Sequence, residues 1–446
     1  MEENQPPKNS EAPQDPVAPP TTIPEQPSSE PPAVSQPPKK SSNKKKVLMI
    51  VLALVLIGAA AGGYLYYKHG QTKKTTTTTT IVASTTPAKV VTPQNVVYAT
   101  KAKQSDPYTI YTRPAAGGDR KSTMTVNGKE NNVYYSFDHY KVRGQNVVFS
   151  LPDGIYVSTD GGATFNNVHK LVPPKENQPA SVTSLQFSTD GKKIVYAYFA
   201  SKGSSTTALN TVTTMDIDGK NSKDVHAFDK AGVFIYSYNA QTDSLVYGTG
   251  CYFCDGNIVE PHLMNLKTNV DKKLFGTNID TEVVSLPVSS LDGQKLIYWV
   301  GTVDKQITED SFGFGSSGAP FKVNQYDIAS GQTSTLATIG TLHEKDADGK
   351  IKFYRINVGY TDDTQQPYYS AEAKLFTVKD GKPSLLLEAS KSIGNVDFVS
   401  ADAIFAQTIS TDKGDFTYYR YDPATKKNTT IFEGDTNTQP FGVTTN

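Results

Sequence analysis

The stretch Phe187–Tyr196, FSTDGKKIVY, contains the unit from which the fold follows. A Ser-x-Asp-Gly turn separates Phe187 from an uninterrupted apolar run, Ile194-Val195-Tyr196. Asp-Gly favours a tight turn because Gly accepts positive φ and Asp hydrogen-bonds its own backbone. The run that follows has no polar alternation, so it must be buried on both faces, as in the interior of a stack of sheets. The pattern returns at Ser290–Tyr298 (SLDGQKLIY). Looser copies are Tyr140–Phe149 (YKVRGQNVVF), Tyr238–Tyr247 (YNAQTDSLVY) and Phe398–Phe405 (FVSADAIF).

A second unit lies further along each repeat: an aromatic or Met start, a turn, then a polar-flanked strand. The starts are Tyr111, Tyr156, Met215, Met264, Tyr326, Phe376 and Tyr419, separated by 45, 59, 49, 62, 50 and 43 residues. A four-stranded propeller blade takes roughly 40–50 residues, so the spacing predicts seven blades, two with loop insertions. From about Asn95 onward no helical apolar period persists, and short Val, Ile, Tyr, Phe and Thr runs alternate with Gly, Asp, Asn and Ser clusters. The predicted fold is therefore all-β, a seven-bladed β-propeller, with six or eight blades as the alternative counts. A generic β-sandwich would show no shared internal unit. The N-terminal strand near Val96–Ala99 is expected to close the ring by completing the last blade.

FSTDGKKIVY resembles the propeller repeat of TolB-type and related WD-like bacterial proteins, whose repeat carries a Ser-x-Asp-Gly turn before an apolar strand. Ser158-Thr159-Asp160-Gly161-Gly162-Ala163-Thr164-Phe165 resembles the Asp-box of sialidase-like propeller blades, Ser-x-Asp-x-Gly-x-Thr-aromatic. Both resemblances cover the outer domain only. The second implies that Ser158, Asp160, Gly162, Thr164 and Phe165 form a structural hairpin brace, the acid capping turn amides and the aromatic packing inward. It marks a propeller blade and does not by itself imply sialidase activity.

Ahead of this domain the chain is a mosaic. Of 27 prolines, 12 fall before residue 39, and residues 1–46 read as a disordered Pro-rich cytoplasmic tail ending in a Lys block. A solvated spacer is preferred there over an SH3- or WW-type ligand. Val47–Tyr67 is 21 residues without a charge. At about 1.5 Å per residue it spans roughly 30 Å, the thickness of a bilayer core. Lys39, Lys40, Lys44, Lys45 and Lys46 precede the span and Lys68, Lys73 and Lys74 follow it, which places the N-terminus in the cytoplasm. Tyr64, Tyr66 and Tyr67 suit the far interface. A signal peptide cleaved near Ala59–Ala61 is the rival reading, opposed by an n-region of over forty residues. Gly58 and Gly62 form a small-xxx-small pair through which the helix could form a homodimer. Residues 68–93, with Thr75–Thr80, read as a stalk, and residues 94–446 as the propeller.

The chain has 44 basic and 44 acidic side chains, which argues against a nucleic-acid partner. Composition also excludes a multi-pass membrane protein, a disulfide mini-protein and a coiled coil. Cys251 and Cys254 are the only cysteines and, in an exported domain, are expected to form a disulfide closing a small loop. Asp255-Gly256-Asn257 directly after them indicates a turn, not the helix N-terminus that a redox-active pair requires. His262 alone does not complete a zinc set. Gly313–Gly318 fits G-x-G-x-x-G but lies in a Gly/Ser-rich insertion, so it reads as a loop. Asp346–Gly349 lacks the further acids of a calcium loop. No cofactor, metal site or catalytic residue is assigned.

These readings point to a single-pass, membrane-anchored extracytoplasmic propeller acting as a non-enzymatic binding or scaffold module for a protein or glycan partner. The enzymatic alternative is a surface glycoside hydrolase of sialidase type, which needs converging arginines; the chain offers Arg113, Arg120, Arg143, Arg355 and Arg420. A channel with three arginines, or with two carboxylates at glycosidase spacing, would favour the enzyme. One lined by Thr, Ser and Tyr would favour binding.

Overall fold

The structure is a computed structural model. It describes residues 91–446 apart from 104, 128, 131–132, 135–138, 172–179, 202–207, 229–231, 251–259, 277–281, 303–320, 340–355 and 410–413. These residues belong to the second of two units into which the chain divides, Met1–Ser84 and Thr85–Asn446.

Seven antiparallel sheets form the blades. Six are built from consecutive strands within residues 140–170, 180–228, 232–273, 282–339, 356–388 and 393–434, numbered here blades 2 to 7. Blade 1 draws on both ends of the chain: its strands are ordered Lys121–Thr125, Thr109–Pro114, Pro93–Thr100, Thr438–Thr445. All seven aromatic or Met starts recognised in the sequence lie on the third strand counted from the centre. The five Asp-Gly-like units are the hairpins between first and second strands of blades 2, 3, 4, 5 and 7.

Ring closure differs from the sequence expectation. Pro93–Thr100 pairs with Thr109–Pro114 in its own repeat and, on its other edge, with Thr438–Thr445. The C-terminal strand thus completes the first blade, while the last blade uses Ile393–Val399 as its own inner strand. The register places Val96 opposite Val443 and shifts at Val97/Tyr98, where Tyr98 faces Pro440. Proline is tolerated there because an inner strand is an edge strand, and an irregularity absorbs its lack of an amide proton.

The apolar second strands explain why the blades stack. Val96, Val97, Tyr98 and Ala99 are all buried, as are Ile194 to Ala197. Successive side chains point to opposite faces. Val96 and Tyr98 pack with Phe405 and Tyr418 of blade 7, and Val97 and Ala99 with Val147 and Phe149 of blade 2. Ile194 and Tyr196 likewise meet blade 2, while Val195 and Ala197 meet blade 4. One apolar cluster occupies each of the seven blade interfaces.

Polar bonds at the hairpin end tie neighbouring blades together. The Thr445 amide donates to the Gly144 carbonyl at 2.9 Å, and the Thr189 amide to the Tyr238 carbonyl at 2.8 Å. The Leu291 amide donates to Gln365 Oε1 at 2.8 Å, and the Val399 amide to Asp362 Oδ2 at 2.9 Å.

Phe149 is fully buried between blades 1 and 2, and Phe149→Ala is expected to cost about 3–5 kcal/mol in urea unfolding. Ending the chain at Gly434 removes the inner partner of Pro93–Thr100 and should lower the urea midpoint further than Phe149→Ala does. A midpoint equal to that of the intact chain would show that closure contributes nothing.

Candidate functional site

Two hairpins with the Ser-x-Asp-Gly sequence adopt the same hydrogen-bond pattern. Ser188 Oγ donates to Asp190 Oδ1 at 2.6 Å and accepts the Lys193 amide at 2.9 Å; Ser290 Oγ donates to Asp292 Oδ1 at 2.6 Å and accepts the Lys295 amide at 3.0 Å. Gly191 and Gly293 take φ of 71° and 70°. These turns border the central channel and shape its rim.

The Ser158–Phe165 segment lies elsewhere, at the turn between the third and fourth strands of blade 2. Asp160 Oδ1 accepts Ser158 Oγ at 2.7 Å and the Thr164 amide at 2.9 Å, and Oδ2 accepts Thr164 Oγ1 at 2.7 Å. Ser158 Oγ also accepts the Gly162 amide at 2.8 Å. Phe165 turns inward onto Phe149, ring centroids 5.2 Å apart. Gly162 has φ of 87°, and a Cβ there would sit 2.8 Å from a Val97 methyl and 2.9 Å from one of Thr112. The turn therefore abuts blade 1, and only glycine fits.

The channel holds a cavity of about 830 Å³ walled by inner strands and their hairpins. From blade 2, His139, Lys141 and Arg143 line it; from blades 6 and 7 come Asp362, Tyr368, Asn395 and Asp397. Val288 and Leu291 of blade 5 and Val358 of blade 6 supply an apolar sector. An adjoining cavity of about 230 Å³ shares Lys141, Arg143, Val288 and Leu291 and adds Tyr236 of blade 4.

Enclosure perturbs the charges. Burial pushes the Asp362 carboxyl up to about 7, against the Val399 amide that lowers it, and the charges of Asp363 and Asp397 add to the rise. Burial also raises Asp397 to about 6, opposed by the nearby Tyr418 hydroxyl. Asn395 Nδ2 donates to Asp397 Oδ1 at 2.6 Å, while Asp397 Oδ2 and the Tyr418 hydroxyl lack partners of hydrogen-bonding geometry. Burial, then the Lys141 charge, depress His139 to about 4 despite its bond to the Val182 backbone. Lys141 keeps contact with the solvent of the channel, yet the surrounding walls lower its pKa. It has no hydrogen-bond or ion-pair partner among the described residues.

Among the described residues Arg143 is the one arginine in the channel lining. Its guanidinium donates to the Ser188 carbonyl at 2.8 Å and to the Thr189 carbonyl, so it serves as a rim tie. Arg113 donates to the Gly118 and Ile431 carbonyls, Arg120 stacks 4.4 Å over the Tyr111 ring, and Arg420 lies on the third strand of blade 7. Arg355, Lys44, Lys45, Lys46, the apolar span 47–67, Cys251, Cys254, the Gly313–Gly318 loop and Asp346–Gly349 lie outside the described residues. His262 pairs with Asp271 at 2.8 Å on the outer strands of blade 4. Among the described residues no helix is long and apolar enough to cross a membrane, and no group of three or more His, Cys, Asp or Glu could hold a metal.

No family model matches the chain, and no curated protein matches it in sequence. Its likenesses are to solved structures. Oligogalacturonate lyase from Vibrio parahaemolyticus aligns with a TM-score of 0.44 and 10% identity, over 72% of this chain and 89% of that one. TolB from Acinetobacter baumannii aligns at 0.38 and 13%, over 67% and 64%. The β-propeller domain of the Trilobed protease from Pyrococcus furiosus aligns at 0.45 and 12%, over 77% and 97%. The propeller assignment rests on the strand pairing of this chain itself.

Lys141, Asp362 and Asp397 are the channel residues that sequence reasoning missed. A lone acid inside the apolar strand Ile393–Val399 was the one local signal available.

Removing Asp160 deletes three hydrogen bonds of an exposed turn; Asp160→Ala should cost about 1–2 kcal/mol in urea unfolding. Asp362 gives a pH test. Its folded pKa of about 7 lies above the ordinary 3.8, so the folded state holds the extra proton between those values. The stability this group contributes therefore falls as pH rises through that window. Asp362→Asn keeps an acceptor for the Val399 amide and carries no charge. Relative to the unaltered chain it should gain on the order of 4 kcal/mol between about pH 4 and about pH 7. A difference that stays constant across the window would contradict a buried carboxylate.

Proposed function

We propose that this chain is a single-pass membrane-anchored protein whose extracytoplasmic propeller is a non-enzymatic binding module for a protein or glycan partner. The channel carries this reading: about 830 Å³ of space lined by Lys141, Asp362 and tyrosines. That volume is within the range of sites that enclose ligands, roughly 300–1,000 Å³. The described arginines support it further, since Arg113 and Arg120 brace blade 1 and Arg143 ties the rim instead of converging on a ligand carboxylate. The anchor is supported by the uncharged span 47–67 and the lysines before it. The Ser158–Phe165 segment, with its aspartate bonded inside the turn, is read as a structural Asp-box brace.

One observation favours a glycoside hydrolase as the second reading. Asp362 and Asp397 both retain protons closer to neutrality than ordinary carboxyls, as a general acid must. Incubating the full-length protein with a panel of oligosaccharides separates the two. The binding reading expects retention of a ligand without new reducing ends. Turnover that disappears in Asp362→Asn would replace it with the hydrolase. For topology, protease added to intact cells should digest the propeller; a fully protected propeller would place it on the wrong side of the membrane.

A further inference from the structure

The channel wall is chemically divided, and each part is incomplete by itself. On blade 2, Lys141 presents an ammonium with no described partner. On blade 6, Asp362 binds the Val399 amide through Oδ2 alone, and no donor from another described residue reaches its Oδ1. Asp397 adds to the acidic side, its Oδ2 near the Tyr418 hydroxyl but without a partner of hydrogen-bonding geometry among the described residues. A carboxylate enclosed by protein is costly unless something pairs with it, which applies to the two aspartates, whereas Lys141 is open to the solvent of the channel. The two sides do not neutralise each other: no ion pair joins Lys141 to either aspartate.

The third sector is apolar. Val288 and Leu291 line the same cavity yet are 39% and 43% exposed, and neighbouring Leu286 is 43% exposed. Here the inner strand of blade 5 is interrupted, in two pieces, Glu282–Val284 and Val288–Ser289, which leaves these side chains uncovered. A simple anion would satisfy Lys141 and meet repulsion from the aspartates; a simple cation would do the reverse. Neither would cover the apolar sector.

We propose that the channel binds a small zwitterion with an apolar side chain, a free α-amino acid or a dipeptide, its carboxylate on Lys141, its ammonium on Asp362 and its side chain against Val288 and Leu291. The proposal rests on the binding-module reading and names the ligand class for it. Charge complementarity at both ends supplies specificity, and the apolar sector adds area removed from water.

Isothermal titration of the full-length protein in detergent with leucine, leucyl-leucine, leucinamide and N-acetyl-leucine tests it. At least one of the two zwitterions is expected to bind with Kd near or below about 1 mM, and the singly charged compounds at least about tenfold more weakly. Tighter leucine identifies the free amino acid as the ligand; tighter leucyl-leucine identifies the dipeptide. Lys141→Met, or Lys141→Gln should the first variant fail to fold, is expected to abolish discrimination against leucinamide. Asp362→Asn should abolish discrimination against N-acetyl-leucine. A purely structural role for these residues would lower all affinities together and leave discrimination intact, which overturns the proposal. So does the absence of zwitterion binding in the unaltered protein, or equal binding of all four compounds. If a glycan or protein partner is retained while no zwitterion binds, the binding-module reading stands and this proposal alone fails.

Discussion

The second strand of every blade is apolar on both faces, and the rest of the molecule follows from that constraint. Val96 and Tyr98 face blade 7 while Val97 and Ala99 face blade 2, so one strand contributes to two cores. A stack of such sheets cannot end without exposing a row of large side chains to water. Closing the stack into a ring removes both ends at once. The two termini are brought together by this requirement, and Thr438–Thr445 pairs with Pro93–Thr100 where they meet. Shape complementarity at seven interfaces then follows from a single repeated pattern.

Closure also creates the site. Inner strands stand side by side around the axis, each with one edge unpaired in its sheet and turned to the channel. Residues from distant repeats converge there: Lys141 from blade 2, Val288 from blade 5, Asp362 from blade 6 and Asp397 from blade 7. The hairpins at the rim are held from blade to blade by Arg143, Thr189, Gln365 and Asp362. Asp362 acts in both settings, with one oxygen spent on the ring and the carboxyl lining the channel. Its raised pKa records the cost of that placement, because the walls that orient it also strip away water.

Much of this architecture was legible along the chain. The Asp-Gly turns before apolar runs located first-to-second strand hairpins, and the aromatic starts located third strands, because both are local consequences of turn chemistry and burial. The bonds of the Ser158–Phe165 turn are equally local, linking residues no more than four apart. The manner of closure was not legible. Val96–Ala99 reads as an apolar strand wherever it pairs, and the choice between completing the last blade and receiving the C-terminus depends on whether Ile393–Val399 already serves the last blade. The channel charges were equally hidden. Asp362 sits in a polar turn like many others, and Lys141 alternates with Tyr140 and Val142 as any strand lysine would.

The sequence by itself determined the all-β class, the count of seven and the identity of the strands buried on both faces, since local periodicity and turn residues carry that information directly. Tertiary structure alone decided which strand closes the ring and which charges share the channel. Both depend on residues far apart in the chain, placed together by packing that no local pattern encodes. The even balance of 44 basic and 44 acidic side chains conveyed nothing of this, because a sum over the chain carries no positions. Only around the axis do a lysine and two enclosed carboxyls come to face one space.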